Sequence, residues 1–220
     1  MIVLMSAFLL LSAFSCGGGN KANSTSEQDE KTVVNVPQFD ADSAYLYVKN
    51  QVDFGPRVPN TKEHVACGNY LAGQLEAFGA QVTNQYADLI AYDGTLLKAR
   101  NIIGSYKPES KKRIALFAHW DTRPWADNDP DEKNHNTPIL GANDGASGVG
   151  ALLEIARLVN QQQPELGIDI ILLDAEDYGA PQFYTGQHKE EFWCLGSQYW
   201  ARNPHVQGYN ARFGILLDMV

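Results

Sequence analysis

The alternation of apolar and polar residues predicts a chain in which strands and helices follow one another. Short apolar runs bounded by turn residues predict strands over residues 80–86, 97–106, 113–118, 169–173 and 213–217. Apolar residues at helical spacing predict helices over 42–53, 60–78, 147–158 and 196–201. The third helix is the clearest, because Val149, Leu152, Leu153 and Ala156 share one face. Strands that alternate with helices indicate an α/β fold, with a mixed, mostly parallel sheet sandwiched between helices.

The last two predicted strands are continuous apolar runs, which is typical of strands buried on both faces. The chain ends at Val220, directly after the second of these runs. Because a following segment normally covers such a strand, we expect the sequence to be a C-terminally truncated portion of a longer domain.

The first residues are typical of a targeting segment. Residues 2–14 form an almost unbroken apolar run that is too short to cross a bilayer. Small residues before Cys16 and three glycines after it resemble a bacterial lipoprotein signal, in which Cys16 becomes the lipidated first residue of the mature protein. An ordinary cleaved signal and a structural helix are the alternatives.

Residues 17–40 lack apolar periodicity and predict a flexible tether, so that the signal comprises residues 1–16 and the catalytic domain residues 41–220. We therefore expect a protein of the bacterial cell envelope, lipid-anchored or periplasmic. Its contact with the membrane would be made only through the lipid anchor.

Composition supports a globular domain and excludes one class of partner. Hydrophobic residues make up 44% of the chain and charged residues 20%. The 26 acidic residues outnumber the 17 Lys and Arg, which gives a formal charge of −9. No basic run is longer than Lys111-Lys112-Arg113, so no nucleic-acid partner is expected.

Cys67 and Cys194 could pair in an oxidising envelope or stay separate thiols, and we expect them to be unpaired.

A histidine and an acidic residue mark the ends of two predicted elements. His119 and Asp121 follow the strand at 113–118, and a carboxylate so placed can hold the second ring nitrogen of a metal-binding imidazole. Asp144 lies in a turn of small residues before the third helix, where its carboxylate can reach an ion. Taken alone, His119 fits a hydrogen-bonded loop residue better, and Asp144 fits a helix cap equally well.

Glu176 and Asp177 follow the apolar strand at 169–173, where two adjacent acids are costly unless they share a cation or a proton. A division of labour explains them: Asp177 binds a metal, while Glu176 stays uncoordinated and shuttles a proton. Asp218 repeats the pattern after the last strand. Solvated loop acids are the alternative for each residue alone. The joint pattern predicts zinc-assisted chemistry on a peptide.

Six motifs in this order resemble the zinc exopeptidase superfamily, which contains bacterial leucyl aminopeptidases and animal-type glutaminyl cyclases. They are Asp53-Phe54-Gly55-Pro56-Arg57, His119-x-Asp121, Gly141-Ala142-Asn143-Asp144, Asp174-Ala175-Glu176-Asp177, Gly196-Ser197 and Leu216-Leu217-Asp218. The resemblance covers nearly everything from Ala41 onward. The cyclase branch is closer, on the run from Phe54 to Pro59, the helix over 66–78, the strand Arg100-Asn101-Ile102-Ile103-Gly104 and the aromatic segment around Trp193.

The resemblance to the cyclases implies a single zinc ion held by Asp144, Asp177 and a histidine beyond Val220. Asp177 departs from the commoner Glu of the family, which implies a small shift of the metal. Glu176 matches the general acid and base, and Asp218 matches the acid that supports hydrogen bonds around the leaving group. The implied reaction converts the N-terminal Gln of a peptide or protein to pyroglutamate and releases ammonia.

Two other readings stay open. In a two-zinc aminopeptidase, His119 would bind a second metal, Asp218 could join it and Asp144 would bridge the two ions. The motifs alone do not separate this enzyme from a cyclase. In the third reading, the chain is a surface lipoprotein that binds a partner without catalysis. Nothing in the sequence indicates an oligomeric state.

Aromatic residues near the acidic positions predict a substrate wall. Trp120, Trp125 and Trp193 fall in predicted loops, and of these Trp120 and Trp193 are the candidate substrate contacts. Trp200, on the short fourth helix, is expected in the core. For each Trp alone, packing in the core is the more common role.

Overall fold

The computed structural model describes residues 35–220, in which five strands and four α-helices follow one another along the chain. In order, these are α1 (Ala41–Val52), α2 (Lys62–Ala77), β1 (Gln81–Ile90), β2 (Leu96–Tyr106), β3 (Arg113–His119), α3 (Ala146–Gln161), β4 (Gly167–Leu173), α4 (Leu195–Arg202) and β5 (Gly214–Leu216). None of the helices in the described residues has both the length and the apolarity needed to cross a bilayer.

The chain divides by internal contacts into residues 1–36 and a compact unit formed by Pro37–Val220. The predicted signal segment and the predicted tether up to residue 34 lie outside the described residues. Residues 35–40 have no regular structure, and Asp40 caps α1 by accepting hydrogen bonds from the backbone N–H groups of Asp42 and Ser43.

The five described strands form one mixed sheet in the order β1-β2-β4-β3-β5. β1 pairs antiparallel with β2, and β2 pairs antiparallel with β4. β3 is parallel to both of its neighbours, β4 and β5. The carboxyl ends of β4, β3 and β5 therefore meet at one edge of the sheet, which is where α/β proteins place their binding sites.

Helices cover both faces of the sheet, which confirms the predicted fold class. On one face, α2 and α3 pack on β-strand residues such as Ile102 and Ile170. The predicted apolar face of α3, formed by Val149, Leu152, Leu153 and Ala156, is fully buried in this layer. On the opposite face, α4 contacts β1 and β2, and its Trp200 packs on Phe117 of β3. Each large side chain buried in these layers stabilises the fold by about 1.5–3 kcal/mol.

The last strand differs from its prediction. β5 was expected to be buried, but Phe213, Ile215 and Leu216 are 55%, 44% and 61% exposed. Within residues 35–220, β5 pairs only with β3, which leaves its other edge and its side chains exposed. The apolar run predicted the strand correctly, and the described residues do not bury it. Cys67, buried on α2, and Cys194, which precedes α4, are free thiols as expected.

Gly148 in the first turn of α3 lets β5 approach the helix. A Cβ atom at Gly148 would overlap the backbone oxygen of Leu217, the residue before Asp218. Gly73 in α2 has nothing within 4 Å of the same position. The two glycines are therefore a matched pair in which only one is needed for packing.

We expect Gly73→Ala to raise the free energy of unfolding by up to about 1 kcal/mol, because Ala favours the helix over Gly. Gly148→Ala should instead lower it by about 1–3 kcal/mol, because the backbone must move to admit the methyl group. Urea unfolding of both variants measures the difference. Equal stabilisation by both substitutions would contradict the close approach of β5 to α3.

Candidate metal centre

The residues singled out by the sequence meet at the carboxyl edge of the three parallel strands. His119 is the last residue of β3, Glu176 and Asp177 follow β4, and Asp218 follows β5. Asp144 comes from the loop that leads into α3. Because β3 lies between β4 and β5, its last residue faces acids supplied from both sides.

Three of these side chains form a group that could hold a metal ion. One ligand atom each from His119, Asp144 and Asp218 lies within 4.8 Å of the other two. The Nε2 atom of His119 is 2.8 Å from Oδ1 of Asp144 and 3.6 Å from Oδ1 of Asp218. The imidazole is buried, yet neither ring nitrogen has a hydrogen bond of acceptable geometry to any described residue. A buried imidazole with unused nitrogens beside carboxylates fits the donor set of zinc.

The other side of the imidazole ring faces Asp121 and Glu176. Nδ1 of His119 is 3.5 Å from Oδ1 of Asp121 and 3.8 Å from Oε2 of Glu176. Asp121 is fully buried, and its two oxygens accept hydrogen bonds of 3.1 Å from the backbone N–H groups of Glu176 and Asp177. Asp121 therefore fixes the segment that carries both acids and lies where it can orient the imidazole.

Charge crowding shifts the pKa values within the cluster. Burial lowers the pKa of His119, but Asp121 and Asp144 outweigh this effect and raise the pKa to about 11. His119 in turn lowers the pKa of Asp144. Burial raises the pKa of Glu176, although His119 opposes the rise. A raised pKa suits a carboxyl group that must both accept and return a proton near neutral pH.

Asp177 lies beside this group but outside the three-residue set. Its Oδ1 atom is 3.5 Å from Nη1 of Arg123, and its Oδ2 atom is buried without a hydrogen-bond partner in the described residues. Burial and the neighbouring acids Asp121 and Asp144 raise the pKa of Asp177 to about 8. A buried oxygen that lacks a donor is suited to a cation. The ligand role of Asp177 stays a prediction, as do the roles of Asp144 and His119.

The loop that carries Asp144 decides between the two readings of that residue. The N-cap of α3 is Gly145, with a φ of +93°, and no side chain caps the helix. Asp144 is therefore not a capping residue, and its carboxylate points to His119 instead. A side chain at Gly145 would also meet the backbone oxygen of Asp121, so both the φ angle and the space require glycine.

Glu176 is held through its backbone and its side chain. The backbone N–H groups of Cys194, Leu195 and Gly196, at the start of α4, donate to the carbonyls of Glu176, Ala175 and Asp174 respectively. Ala175 has a φ of +50°, which is unusual for a residue with a Cβ. The thiol of Cys194 donates to Oε1 of Glu176 over 3.2 Å. Burial raises the pKa of this thiol to about 12, which keeps it a proton donor.

The sequence reasoning missed two arginines, one buried and one largely shielded from solvent. Arg57 is fully buried and donates to the carbonyls of Trp120, Leu140 and Gly141, so it ties the end of β3 to the loop that leads to Asp144. Arg123 donates to Asp127 and lies against Asp177. The available signal was the excess of acids, which requires fixed cations nearby, together with the place of Arg57 in the Phe54-Gly55-Pro56-Arg57 motif.

The structure contradicts Trp120 as a substrate contact. Its ring is fully buried, stacks on His64 with centroids 4.4 Å apart, and donates from Nε1 to the carbonyl of Arg100. The backbone N–H of Trp120 pairs with the carbonyl of Leu173, so strand alternation continues and turns the side chain to the face opposite His119.

Two other tryptophans, Trp193 and Trp200, lie near the cluster and are only half-buried. Trp193 is half-buried, beside Cys194, and its role stays a prediction. A cavity of about 490 Å³ opens beside His119, Glu176 and Asp218. Its apolar wall includes Phe117, Leu173 and Trp200. Trp200 packs against the buried cluster that contains Ile171, as expected, but it is only half-buried and also lines this cavity.

Comparison with protein families matches residues 101–220, more than half of the chain, to peptidase family M28. Solved structures extend the similarity over most of the described residues. Bacteroides thetaiotaomicron glutaminyl cyclase bound to N-acetylhistamine is 95% identical, with a TM-score of 0.84 over 84% of this chain and 64% of that one. A leucine aminopeptidase precursor from the same organism is also 95% identical, with a TM-score of 0.85 over 86% of this chain and 65% of that one.

Tannerella forsythia glutaminyl cyclase is 60% identical, with a TM-score of 0.81 over 84% of this chain and 63% of that one. The chain thus spans between 63% and 65% of the length of these three structures.

We expect Asp144→Asn to weaken zinc binding by about 100-fold or more, because a neutral amide replaces a charged ligand. Even the loss of a group that only hydrogen-bonds to a metal ligand lowers metal affinity by about 10–100-fold. Competition with a chromophoric chelator measures the affinity. Asp88→Asn, an exposed acid on β1 that pairs with Lys98, is the matched control and should leave the affinity unchanged. Equal affinities of the two variants would remove Asp144 from the centre.

Proposed function

The chain belongs to peptidase family M28, and on that premise we propose that it is a zinc-dependent glutaminyl-peptide cyclotransferase. It would convert the N-terminal Gln of peptides or proteins to pyroglutamate and release ammonia. The observation that carries this proposal is the 95% identity to a solved glutaminyl cyclase over 84% of this chain. The cluster supports it with the residue types that the reaction needs, namely metal ligands beside an uncoordinated carboxyl group.

The metal would be held by Asp144 and Asp177, with His119 and Asp218 beside them. When bound, zinc supplies a Lewis acid that polarises the side-chain carboxamide oxygen of the substrate glutamine. The buried imidazole of His119 and the unpartnered Oδ2 of Asp177 are the atoms whose surroundings best fit a cation. Asp121 keeps the segment of Glu176 and Asp177 in place through two backbone hydrogen bonds.

Glu176 has the position and surroundings of the group that moves the proton. It accepts a proton from the α-amine as the amine nitrogen attacks the carboxamide carbon. It returns the proton to the departing nitrogen as the old carbon–nitrogen bond breaks, so that ammonia leaves and a lactam remains. The Cys194 thiol holds Oε1, and Oε2 lies toward His119. Because ring closure is intramolecular, positioning of the substrate supplies much of the rate.

The cavity beside Glu176 would receive the N-terminal residue. Phe117, Leu173 and Trp200 give it an apolar wall, whereas His119, Glu176 and Asp218 line its polar end. Such a cavity packs the methylene groups of a glutamine side chain and directs its carboxamide to the acidic cluster. Trp193 remains the candidate aromatic contact with the substrate, and it directly precedes Cys194, which lines this cavity.

A second candidate function is a zinc aminopeptidase. The close group of His119, Asp144 and Asp218 favours it, because these are the ligands expected around a second metal ion. Glu176 would then activate water against the first peptide bond instead of taking a proton from the α-amine.

We also propose that the protein acts in the bacterial cell envelope, lipid-anchored at Cys16 or periplasmic. The support for this part is the apolar run of residues 2–14 and the small residues around Cys16.

We expect Glu176→Gln to lower kcat by at least about 100-fold, because the amide cannot exchange a proton with the substrate. The change is isosteric and keeps the contact with Cys194, so zinc content and thermal unfolding should stay unchanged. Steady-state kinetics, metal analysis and a melting curve measure the three quantities. Retained turnover would remove Glu176 from its assigned role.

The zinc-loaded protein should release ammonia from a Gln-initiated peptide and no free leucine from a matched Leu-initiated peptide. The reason is that only Gln presents a carboxamide within reach of its own α-amine. Coupled ammonia detection and amino-acid analysis, with Glu176→Gln as the inactive control, separate the readings. Faster release of leucine would establish the aminopeptidase, and no turnover of either peptide would support the non-catalytic binding protein.

A further inference from the structure

Arg123 lies between the metal cluster and the loop of Trp193 and is largely shielded from solvent. Its side chain is 11% exposed. The guanidinium group forms a two-pronged pair with Asp127, in which Nε donates to Oδ1 over 2.7 Å and Nη2 donates to Oδ2. The remaining donors reach the backbone carbonyls of Asp177, at 3.2 Å, and Ala180, at 3.4 Å. The group is therefore fixed in one orientation by its hydrogen bonds.

The same guanidinium plane contacts two indole rings. Its central carbon is 4.9 Å from the ring centroid of Trp193 and 5.7 Å from that of Trp125. These distances are within the range of cation–π attraction, which is stronger for a desolvated group such as this one. Trp193 can approach closely because Gly179 has no Cβ; a methyl group there would overlap the indole.

Arg123 also contacts one of the two carboxylate oxygens of Asp177. Nη1 is 3.5 Å from Oδ1 of Asp177, whereas Oδ2 is buried and has no hydrogen-bond partner in residues 35–220. The guanidinium group therefore neighbours one oxygen of the carboxylate, while the other oxygen has no donor in the described residues.

We propose that Arg123 is a positioning residue that holds the metal ligand Asp177 and the aromatic ring of Trp193 in one arrangement. Zinc binding and substrate binding would then depend on the same guanidinium group. This inference rests on the proposed function for the role of Trp193, and on the zinc prediction for that of Asp177. It requires Arg in particular, because a Lys ammonium is a point charge that cannot form the paired bonds to Asp127 and stack on indole at once.

The test compares Arg123→Lys with Arg157→Lys. Arg157 also forms a two-pronged pair, with Glu154 on α3, and lies away from the cluster. We expect Arg123→Lys to weaken zinc binding by about 10–100-fold in a chelator competition. It should also raise KM for a Gln-initiated peptide with a smaller effect on kcat. Arg157→Lys should change neither quantity. Unchanged zinc affinity and unchanged KM in a folded Arg123→Lys protein would overturn the proposal.

A double-mutant comparison separates the effect of Arg123 on substrate binding from its effect on zinc binding. If Arg123 acts on the substrate through Trp193, the KM effect of Arg123→Lys disappears in a Trp193→Ala background, while the zinc effect remains. A KM effect of full size in that background would refute the link to Trp193. Should Arg123→Lys fail to fold, Asp127→Ala decides, since it keeps Arg123 but removes both oxygens that fix the guanidinium group. It should weaken zinc binding in the same direction, and an unchanged affinity overturns the proposal.

The zinc measurement needs no turnover. If the wild-type protein turns over no Gln peptide, the proposed function fails, while the chelator competition still decides whether Arg123 positions Asp177.

Discussion

The crowding of carboxylates around one buried imidazole is the constraint that the rest of this structure depends on. Asp121, Asp144, Glu176, Asp177 and Asp218 all lie on the edge of the sheet that ends in His119. Like charges at such distances repel strongly where water is scarce. The pKa of Asp177 is raised by burial and then by the neighbouring acids, and the pKa of His119 is raised by Asp121 and Asp144 against the effect of burial. In both cases a bound proton lowers the net negative charge of the cluster. A divalent cation relieves the same repulsion without using protons, which is why the cluster is suited to zinc.

The backbone resists this repulsion by being held at many points. Three successive N–H groups at the start of α4 donate to the carbonyls of Asp174, Ala175 and Glu176. Asp121 accepts from the backbone N–H groups of Glu176 and Asp177. Asp174 is itself buried and accepts from His64 and from the backbone of Arg100. Ala175 can keep its positive φ because its neighbours on both sides are fixed in this way. The strain is local, and it turns Glu176 toward His119 and the cavity.

Much of this arrangement was predictable from the sequence, because it follows from patterns among residues that are close together in the chain. Apolar runs identified the strands, and an acid directly after a parallel strand must lie at its carboxyl end. Trp120 was predicted wrongly although alternation contained the answer: if His119 faces the cavity, the next residue faces the opposite layer. The contacts of Arg57 and Arg123 with distant segments were beyond such reasoning, because they join residues 54 to 84 positions apart whose meeting depends on the whole fold.

The cluster also explains why cyclase and aminopeptidase are hard to tell apart by residue types. Both reactions use an uncoordinated carboxyl group beside metal ligands, and Glu176 has this position in either reading. The difference lies in the nucleophile, which is the α-amine of the substrate in one case and water in the other. In the proposed cyclisation, the cavity with its apolar wall of Phe117, Leu173 and Trp200 would hold the glutamine side chain beside Glu176. The attacking amine then arrives with the substrate, whereas hydrolysis needs a water molecule brought to the same place, and this is the physical argument for the proposal.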